Sequence, residues 1–519
     1  MNRIAECLVG ILFLCGIANG QKSSSKKEMN VIFIMADDLG WSDTELYGTT
    51  PLYKTKNIMR LADRGLTFTN AYAASPLCSP TRATIMSGQA TARNGMLAAV
   101  GHMKRANLEN HVSFRKVKPG DKASEVESAT RLNNTIPSLG KVIKKNGYQT
   151  AHFGKWHLGP SPYSPLEQGF DIDIPHTNGP GPTAYLAPWN YPTLVAKAPK
   201  EHIEDRMSKE ALAWMQSLKG DKPFFMNYWM FSVHGPWGAK KELIETYKQK
   251  LDTTQLQRSP SYAAMVHSLD DAVGTLLDEV DRLGIADNTA IIFFSDNGGT
   301  KHIQLKETTK EGVRFNARVT HNSPLKGGKA TMYEGGIKVP CVIVWPGLTR
   351  PGTTTDARIQ STDFYPTILN LIGAKIPNGH IVDGVDFSKV LNNTKWQRKE
   401  PMFSYFPVYQ KGVPDWLPPS IAVHEGDWKL IRLFHQGEDQ ENEYLLFNLK
   451  EDIGETKNLA SQYPKKVKTL DALIDQHIKD TGAVIPEPNP NFDIQQYQPE
   501  KVGVQKKAKI ITPNAKRKH

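Results

Sequence analysis

A chain of 519 residues, 39% hydrophobic and 23% charged, has an ordinary globular make-up and is too long for one simple core, so one large domain and a smaller one are expected. Its net charge of +11 suits an anionic polymer as partner. No Walker, zinc-finger or aromatic RNP pattern accompanies that charge, so nucleic acid is excluded as the expected partner.

Residues 1–20 carry Arg3, an apolar run from Leu8 to Ile17 and a small-residue ending at Ala18-Asn19-Gly20. This is a signal peptide and too short for a membrane span, so an exported protein, periplasmic or secreted, is expected. Cys15 after Leu12-Phe13-Leu14 fits a lipoprotein site poorly, so cleavage is preferred to lipid anchoring. Asn133-Asn134-Thr135 and Asn392-Asn393-Thr394 would be glycosylation acceptors in a eukaryotic secretory path, so the destination stays open. Residues 21–28 read as a basic linker, 29–400 as the main domain, 401–495 as a C-terminal subdomain and 496–519 as a disordered basic tail. Losing the leader removes Cys7 and Cys15 and leaves Cys78 and Cys341. A disulfide between these two is the competing fate of Cys78.

Met29 to Met35 is a short β-branched run, hence a buried strand, and it ends in Ala36-Asp37-Asp38-Leu39-Gly40. Paired carboxylates there sit at the carboxyl edge of the sheet, where open α/β sheets bind ligands, and a cation would relieve them; a solvated turn is the alternative. Ile58 to Gly65 predicts a helix and Leu66 to Tyr72 a strand. The strand feeds Ser75-Pro-Leu-Cys78-Ser79-Pro80-Thr81-Arg82 and a run ending at Gly88. Ser79 suits an N-cap, Pro80 the first helical position and Gly88 the stop. Cys78 would then lie just ahead of a helix N-terminus, which favours developing negative charge, with Arg82 one turn in. A Cys-x-Pro-x-Lys/Arg string is expected by chance only about 0.03 times in a chain of this composition.

Residues 98–135 read as a polar surface excursion, with His102, Lys104 and Arg105 as minor contact candidates. A helix over 136–146 and a strand over 148–153 lead into Gly154-Lys155-Trp156-His157-Leu158-Gly159, where Lys155 and His157 can point together into a cleft. Residues 160–200, rich in proline, glycine and aromatics, read as packed loops. A helix over 203–218 precedes the strand 223–231, which ends in Ser232-Val233-His234. Helical spacing marks 262–283, and the strand 289–294 ends in Ser295-Asp296-Asn297. Residues 300–322 read as irregular; then a glycine-rich loop holds Lys329 ahead of the Cys341 strand. Past 400, antiparallel strands at 428–433 and 444–449 and a helix over 464–478 are expected.

The repeated pattern is an apolar strand with reactive residues at its carboxyl end. Strands alternating with helices imply a mainly parallel sheet, so these ends converge in one crevice. Asp37, Asp38, Asp296 and Asn297 would meet there, an oxygen donor set that favours Ca²⁺ first and Mg²⁺ second. Arg82, Lys155 and Lys329 supply positive charge, and His157 and His234 can move protons near neutral pH.

These strings resemble the signature motifs of the type I sulfatases, from the Cys-Ser-Pro-Thr-Arg string through Asp37-Asp38, Gly154-Lys155-Trp156-His157, His234-x-Pro236 and the Lys329 loop to Glu455. The resemblance implies an alkaline-phosphatase-like α/β fold: a mixed, mostly parallel sheet sandwiched by helices, plus a small C-terminal α+β subdomain with a short antiparallel sheet. It implies a sulfuric ester hydrolase in which Cys78, oxidised to formylglycine by a formylglycine-generating or sulfatase-maturating enzyme, is the nucleophile and also a Ca²⁺ ligand. Arg82 and Lys155 would hold the formylglycine and the sulfate, His234 or Lys329 would protonate the leaving alcohol, and His157 would act as base. The expected substrate is a sulfated carbohydrate: an algal polysaccharide such as ulvan, carrageenan or fucan, oligosaccharides from it, or a host glycosaminoglycan. Two rival readings are a phosphonate monoester or phosphodiester hydrolase of the same superfamily, and a non-catalytic sulfated-glycan-binding protein with unmodified Cys78.

Overall fold

The computed structural model describes residues 28–514 apart from Asn190 and Pro192. The expected leader at 1–20 and the linker up to residue 27 lie outside the described residues.

Eight strands form the central sheet: β1 Asn30–Ala36, β2 Leu66–Tyr72, β3 Gln149–Gly154, β4 Ile172–Ile174, β5 Phe224–Trp229, β6 Thr289–Ser295, β7 Lys338–Val344 and β8 Thr353–Gln360. Their order across the sheet is β8-β2-β7-β6-β1-β5-β3-β4. β1 pairs in parallel with β5 and β6, β3 with β4 and β5, and β8 with β2. β7 alone runs against its neighbours β2 and β6. The carboxyl ends of the other seven strands therefore share one edge with the start of β7. Residues that follow β1, β2, β3, β5 and β6 meet there with residues that precede β7.

Alternation along β1 shows why the sheet is covered on both faces. Ile32 and Ile34 pack on one side with Leu269 and Val273 of the Pro260–Arg282 helix. Val31, Phe33 and Met35 pack on the other with Ile85, Phe364 and Leu369. Cys341 belongs to this second face, fully buried, and both Cys78 and Cys341 are free thiols. The competing disulfide is not formed.

The smaller sheet pairs Met402–Phe406, Ser420–Glu425, Trp428–Leu433 and Glu443–Asn448 antiparallel in chain order, backed by the helix Pro464–Thr481. Only the last two of these strands were expected from sequence.

Two expectations are corrected. The polar segment 300–322 is a hairpin, Ile303–Thr308 with Arg314–Arg318; its alternation of buried Ile303, Leu305 and Glu307 with more exposed neighbours is a period-2 pattern hidden by a polar composition. The tail expected to be disordered from 496 onward instead adds a third strand, Lys509–Ile511, parallel to Ile303–Leu305. An open hairpin edge offers it backbone partners that its own composition does not reveal.

Candidate active site

The Cys78 helix starts two residues earlier than its capping pattern suggests. It spans Cys78–Ser87 with Leu77 at the N-cap, and Gly88 ends it in a left-handed conformation at φ 68°. Ser79 is not the cap because its Oγ donates to the His157 carbonyl at 2.7 Å. Cys78 is thus the first residue of the helix, beside the free N–H groups of its first turn.

Beyond β1 the chain turns sharply. An extended continuation would aim Asp37 and Asp38 at opposite faces, but Asp38 takes φ 66° and the two carboxylates share one cluster with Asp296 from the end of β6. Asp37 Oδ2 accepts Lys155 Nζ at 2.7 Å, and Asp296 Oδ2 accepts Arg82 Nε at 2.9 Å and Nη2 at 2.7 Å. Asp296 Oδ1 accepts the Asp38 backbone N–H at 3.2 Å. Asp38 is bound by Lys329 Nζ at 2.6 and 2.8 Å, by Asn297 Nδ2 at 2.9 Å and by Thr300 Oγ1 at 3.1 Å. Arg82 also donates to the Lys155 carbonyl at 2.6 Å and lies over the Trp229 ring.

Two glycines allow these loops to approach. A Cβ on Gly154 would sit 1.9 Å from the Trp229 carbonyl, where β3 delivers Lys155 alongside β5. A Cβ on Gly298 would sit 1.8 Å from the Gly335 carbonyl, where the loop after β6 meets the loop bearing Lys329.

Cys78 Sγ lies 3.4 Å from His157 Nδ1, and His157 Nε2 lies 2.8 Å from His102 Nδ1. His234 Nδ1 is held by the Gly235 carbonyl at 2.6 Å, which leaves Nε2 facing Asp38 Oδ2 at 3.9 Å. All ten residues expected at the site are therefore assembled at one sheet edge. Lys104 and Arg105 are exposed and contribute no side-chain contact to it. Sequence reasoning missed Thr300, which holds Asp38, and gave His102 too little weight. The only available signal was position: Thr300 lies three residues past Asn297, and His102 lies within a segment read as solvated.

Burial sets the proton balance, and neighbouring charges then refine it. Asp38 would be pushed up by burial, yet Lys329 and, more weakly, Lys155 outweigh this and hold it well below the ordinary carboxylate range. Asp296 is pushed up to about 6 by burial and by Asp37, against Arg82 and Lys155. Burial, reinforced by Lys155 for His157 and by Lys329 for His234, holds both imidazoles well below 6.5 and so neutral. Burial likewise raises the Cys78 thiol, so the unmodified side chain is no thiolate nucleophile.

The donor set suits a hard cation. Asp37, Cys78 and Asp296 offer ligand atoms within 4.8 Å of one another, as do Asp37, Asp38 and His234. Asp37 Oδ1 and Asn297 Oδ1 are buried and accept no hydrogen bond among the described residues. Two open oxygen acceptors among three carboxylates fit Ca²⁺ or Mg²⁺ better than a thiolate- or imidazole-seeking metal. The carboxylates of Asp37, Asp38 and Asp296 face the cations Arg82, Lys155 and Lys329, so a divalent ion would leave a net positive site for an anionic substrate.

The cluster opens through a cleft of about 350 Å³ lined by Asp38, His234, Trp237, Thr300, His302 and Lys329, among others. His157 lies on the inner side, against Cys78 and Ser79. The aromatic loop between β4 and β5 is packed rather than presented: Tyr191 stacks on Phe231, and the Tyr185 hydroxyl donates to the Phe231 carbonyl at 2.6 Å.

Comparison with known proteins places these motifs in context. The family model described as Sulfatase matches residues 29–374, and that described as N-sulphoglucosamine sulphohydrolase, C-terminal, matches 328–481. A sulfatase of Formosa agariphila is 30% identical, over 91% of this chain and 92% of its own length. Human N-acetylgalactosamine-6-sulfatase is 27% identical, over 95% and 93%. Among solved structures, Ps i-CgsB in complex with k-i-k-neocarrahexaose superposes with a TM-score of 0.70 at 24% identity, covering 86% of this chain and 92% of that one. The PsFucS1 sulfatase from Pseudoalteromonas sp. gives 0.63 at 23%, covering 89% and 92%. These likenesses bear out the alkaline-phosphatase-like architecture.

Proposed function

Because the chain belongs to the sulfatase family and is a sulfuric ester hydrolase, we propose that it removes sulfate from a sulfated carbohydrate through a formylglycine made from Cys78. The observation that carries this reading is the placement of Cys78 at the first turn of its helix, 3.4 Å from a neutral His157 and among three carboxylates and three cations. The relatives support the substrate class: one acts on N-acetylgalactosamine 6-sulfate by its name, and one structure holds a neocarrahexaose. An algal polysaccharide or its oligosaccharides is the substrate we favour.

Asp37, Asp38, Asp296 and Asn297, with residue 78, would hold Ca²⁺. Bound there, the ion supplies Lewis-acid polarisation of sulfate oxygens, and formylglycine supplies a nucleophile that a buried thiol does not. Arg82 keeps Asp296 ionised and aimed inward through its two-pronged contact. Lys155 and Lys329 place positive charge where sulfate oxygens gather negative charge in the transition state. His157 Nδ1, facing the residue 78 side chain, accepts the proton that releases sulfate after transfer, and His102 fixes the orientation of its ring. His234 and Lys329 border the cleft on the outer side, so one of them would give the leaving sugar oxygen its proton: Lys329 from its ammonium, His234 only after taking up a proton at Nε2, the nitrogen that faces Asp38. Water is kept from the inner cluster by burial of every carboxylate in it.

Export fits this chemistry, since a polysaccharide substrate lies outside the cytosol. No described helix is long and apolar enough to cross a membrane. We place the protein in the periplasm or outside the cell, matured by a formylglycine-generating or sulfatase-maturating enzyme.

The deciding experiment is the mass of the tryptic peptide Gly65–Arg82 from protein made in its native host, with sulfate release measured on sulfated oligosaccharides. Formylglycine at Cys78 together with sulfate release is expected. An unmodified thiol in protein that binds but never desulfates such glycans would overturn the reading, as would dominant turnover of an aryl phosphonate.

A further inference from the structure

The C-terminal segment is stitched across the mouth of the cleft at four places. The Asp415 backbone N–H donates to the Gly503 carbonyl at 2.7 Å, and Gln505 Nε2 to the His302 carbonyl at 2.8 Å. Lys509–Ile511 pairs with Ile303–Leu305. Beyond the strand, Asn514 donates its backbone N–H to the Trp237 carbonyl at 2.8 Å, and its Oδ1 accepts the Ala239 N–H at 2.9 Å. The tail thus bridges the hairpin that follows Asp296 and the loop that follows His234.

Strand alternation decides what the tail presents. Lys509 and Ile511 line the cleft together with Asp38, His234, Trp237 and Lys329, while Ile510 between them faces solvent at 45% exposure. Among the described residues no carboxylate pairs with Lys509, whereas Lys329 on the opposite side of the same cleft is bound to Asp38. The cleft therefore has an inner cation committed to the cluster and an outer ammonium without an anion.

Resting on the sulfatase reading, we propose that residues 505–514 form a wall of the substrate cleft and that Lys509 binds a second anionic group of the substrate, next to the ester that is cleaved. The preferred substrate class is a sugar carrying a further sulfate or carboxylate close to the scissile sulfate, with Trp237 and Ile511 bordering its apolar ring faces. A long ammonium on a strand reaches one such group as a point charge. Its placement at the mouth would also steer polyanions inward.

The test measures titration calorimetry on full-length Cys78→Ala protein and turnover by the matured enzyme. The probes are three galactose-based oligosaccharides: monosulfated, disulfated, and monosulfated with an adjacent uronic acid. With Lys509→Ala, affinity for the doubly charged probes is expected to fall about tenfold relative to the monosulfated probe, and with Lys509→Glu further. The second charge recognised is identified by which doubly charged probe loses more. Lys507→Ala, an exposed lysine outside the cleft, should leave the ratio unchanged. If Lys509→Ala weakens all three probes equally or none, the proposal is overturned, and likewise if Cys78→Ala protein binds no doubly charged probe. Catalysis reports separately: an enzyme that cleaves no sulfate ester, yet shows the Lys509 effect on binding, would sink the sulfatase reading and leave the binding wall standing.

Discussion

Lys329 places its ammonium 2.6 and 2.8 Å from the two oxygens of Asp38, closing a contact across 291 positions of sequence. The lysine comes from the loop before the one antiparallel strand of the central sheet, the aspartate from the end of the first strand. The pair therefore exists only because β7 runs backwards. Replacing Lys329 with Ala should reduce kcat on an aryl sulfate by about 10²–10³-fold, since it removes a preorganised charge from the site of transition-state development. A variant that folds normally, judged by its near-UV circular dichroism, yet retains full kcat would remove Lys329 from the mechanism.

Metal removal should be visible in stability as well as in activity. Three carboxylates converge around open acceptors on Asp37 and Asn297, so a bound divalent ion stabilises the folded chain by about 2.7 kcal/mol at a concentration one hundred times its Kd. Thermal melts with excess Ca²⁺ and with a chelator should differ in Tm. Asp38→Asn and Asp296→Asn should abolish that difference. Equal Tm values for wild type under both conditions would contradict the assignment.

His152 supplies a pH test remote from turnover. Burial first, and then the charge of Arg82, push it down to about 3 from 6.5. Its ring is surrounded by Trp156, Phe170 and Trp229. The unfolded chain takes up a proton as pH falls through 6.5, and the folded chain does not until about 3, so this group's stability contribution is complete above the first value and is lost on acidification at about 1.4 kcal/mol per unit. Between pH 7.5 and 5.5 the Tm of His152→Leu should fall less than that of wild type. Parallel curves for the two proteins would show that folding does not lower the His152 pKa.

A buried ionic network joins the two subdomains. Lys429 Nζ, on the C-terminal sheet, lies 3.0 Å from Glu334 Oε1 and 2.7 Å from Glu455 Oε1. His424 Nε2 is 2.9 Å from the same Glu334 oxygen, and the Glu334 backbone N–H donates to Glu455 Oε2 at 2.6 Å. Glu334 closes the loop that carries Lys329. Lys429→Met strands two buried carboxylates and should destabilise by about 3–5 kcal/mol in chemical denaturation. Adding Glu455→Gln should recover part of that loss, because the two sites are coupled. Strictly additive effects would show that the network is not a unit.

The candidate residues were legible in the sequence because each follows the same local rule. A β-branched apolar run predicts a buried strand, and the polar residues just past it must emerge at the strand's end. Asp37, Lys155, His234 and Asp296 are found this way, and Cys78 follows the strand that feeds its helix. Sequence by itself determined which side chains reach the sheet edge, since strand, turn and cap preferences act over a few residues. Tertiary structure alone decided what they do to one another: that β7 is reversed and delivers Lys329 to Asp38, that His102 turns inward to His157, that Thr300 holds Asp38, and that the basic tail adds a strand beside the cleft. The free energies behind those outcomes come from burial and from partners hundreds of residues away. Lys509-Ile510-Ile511 is only three residues long, too short for its own pattern to announce a strand or the open hairpin edge that pairs with it.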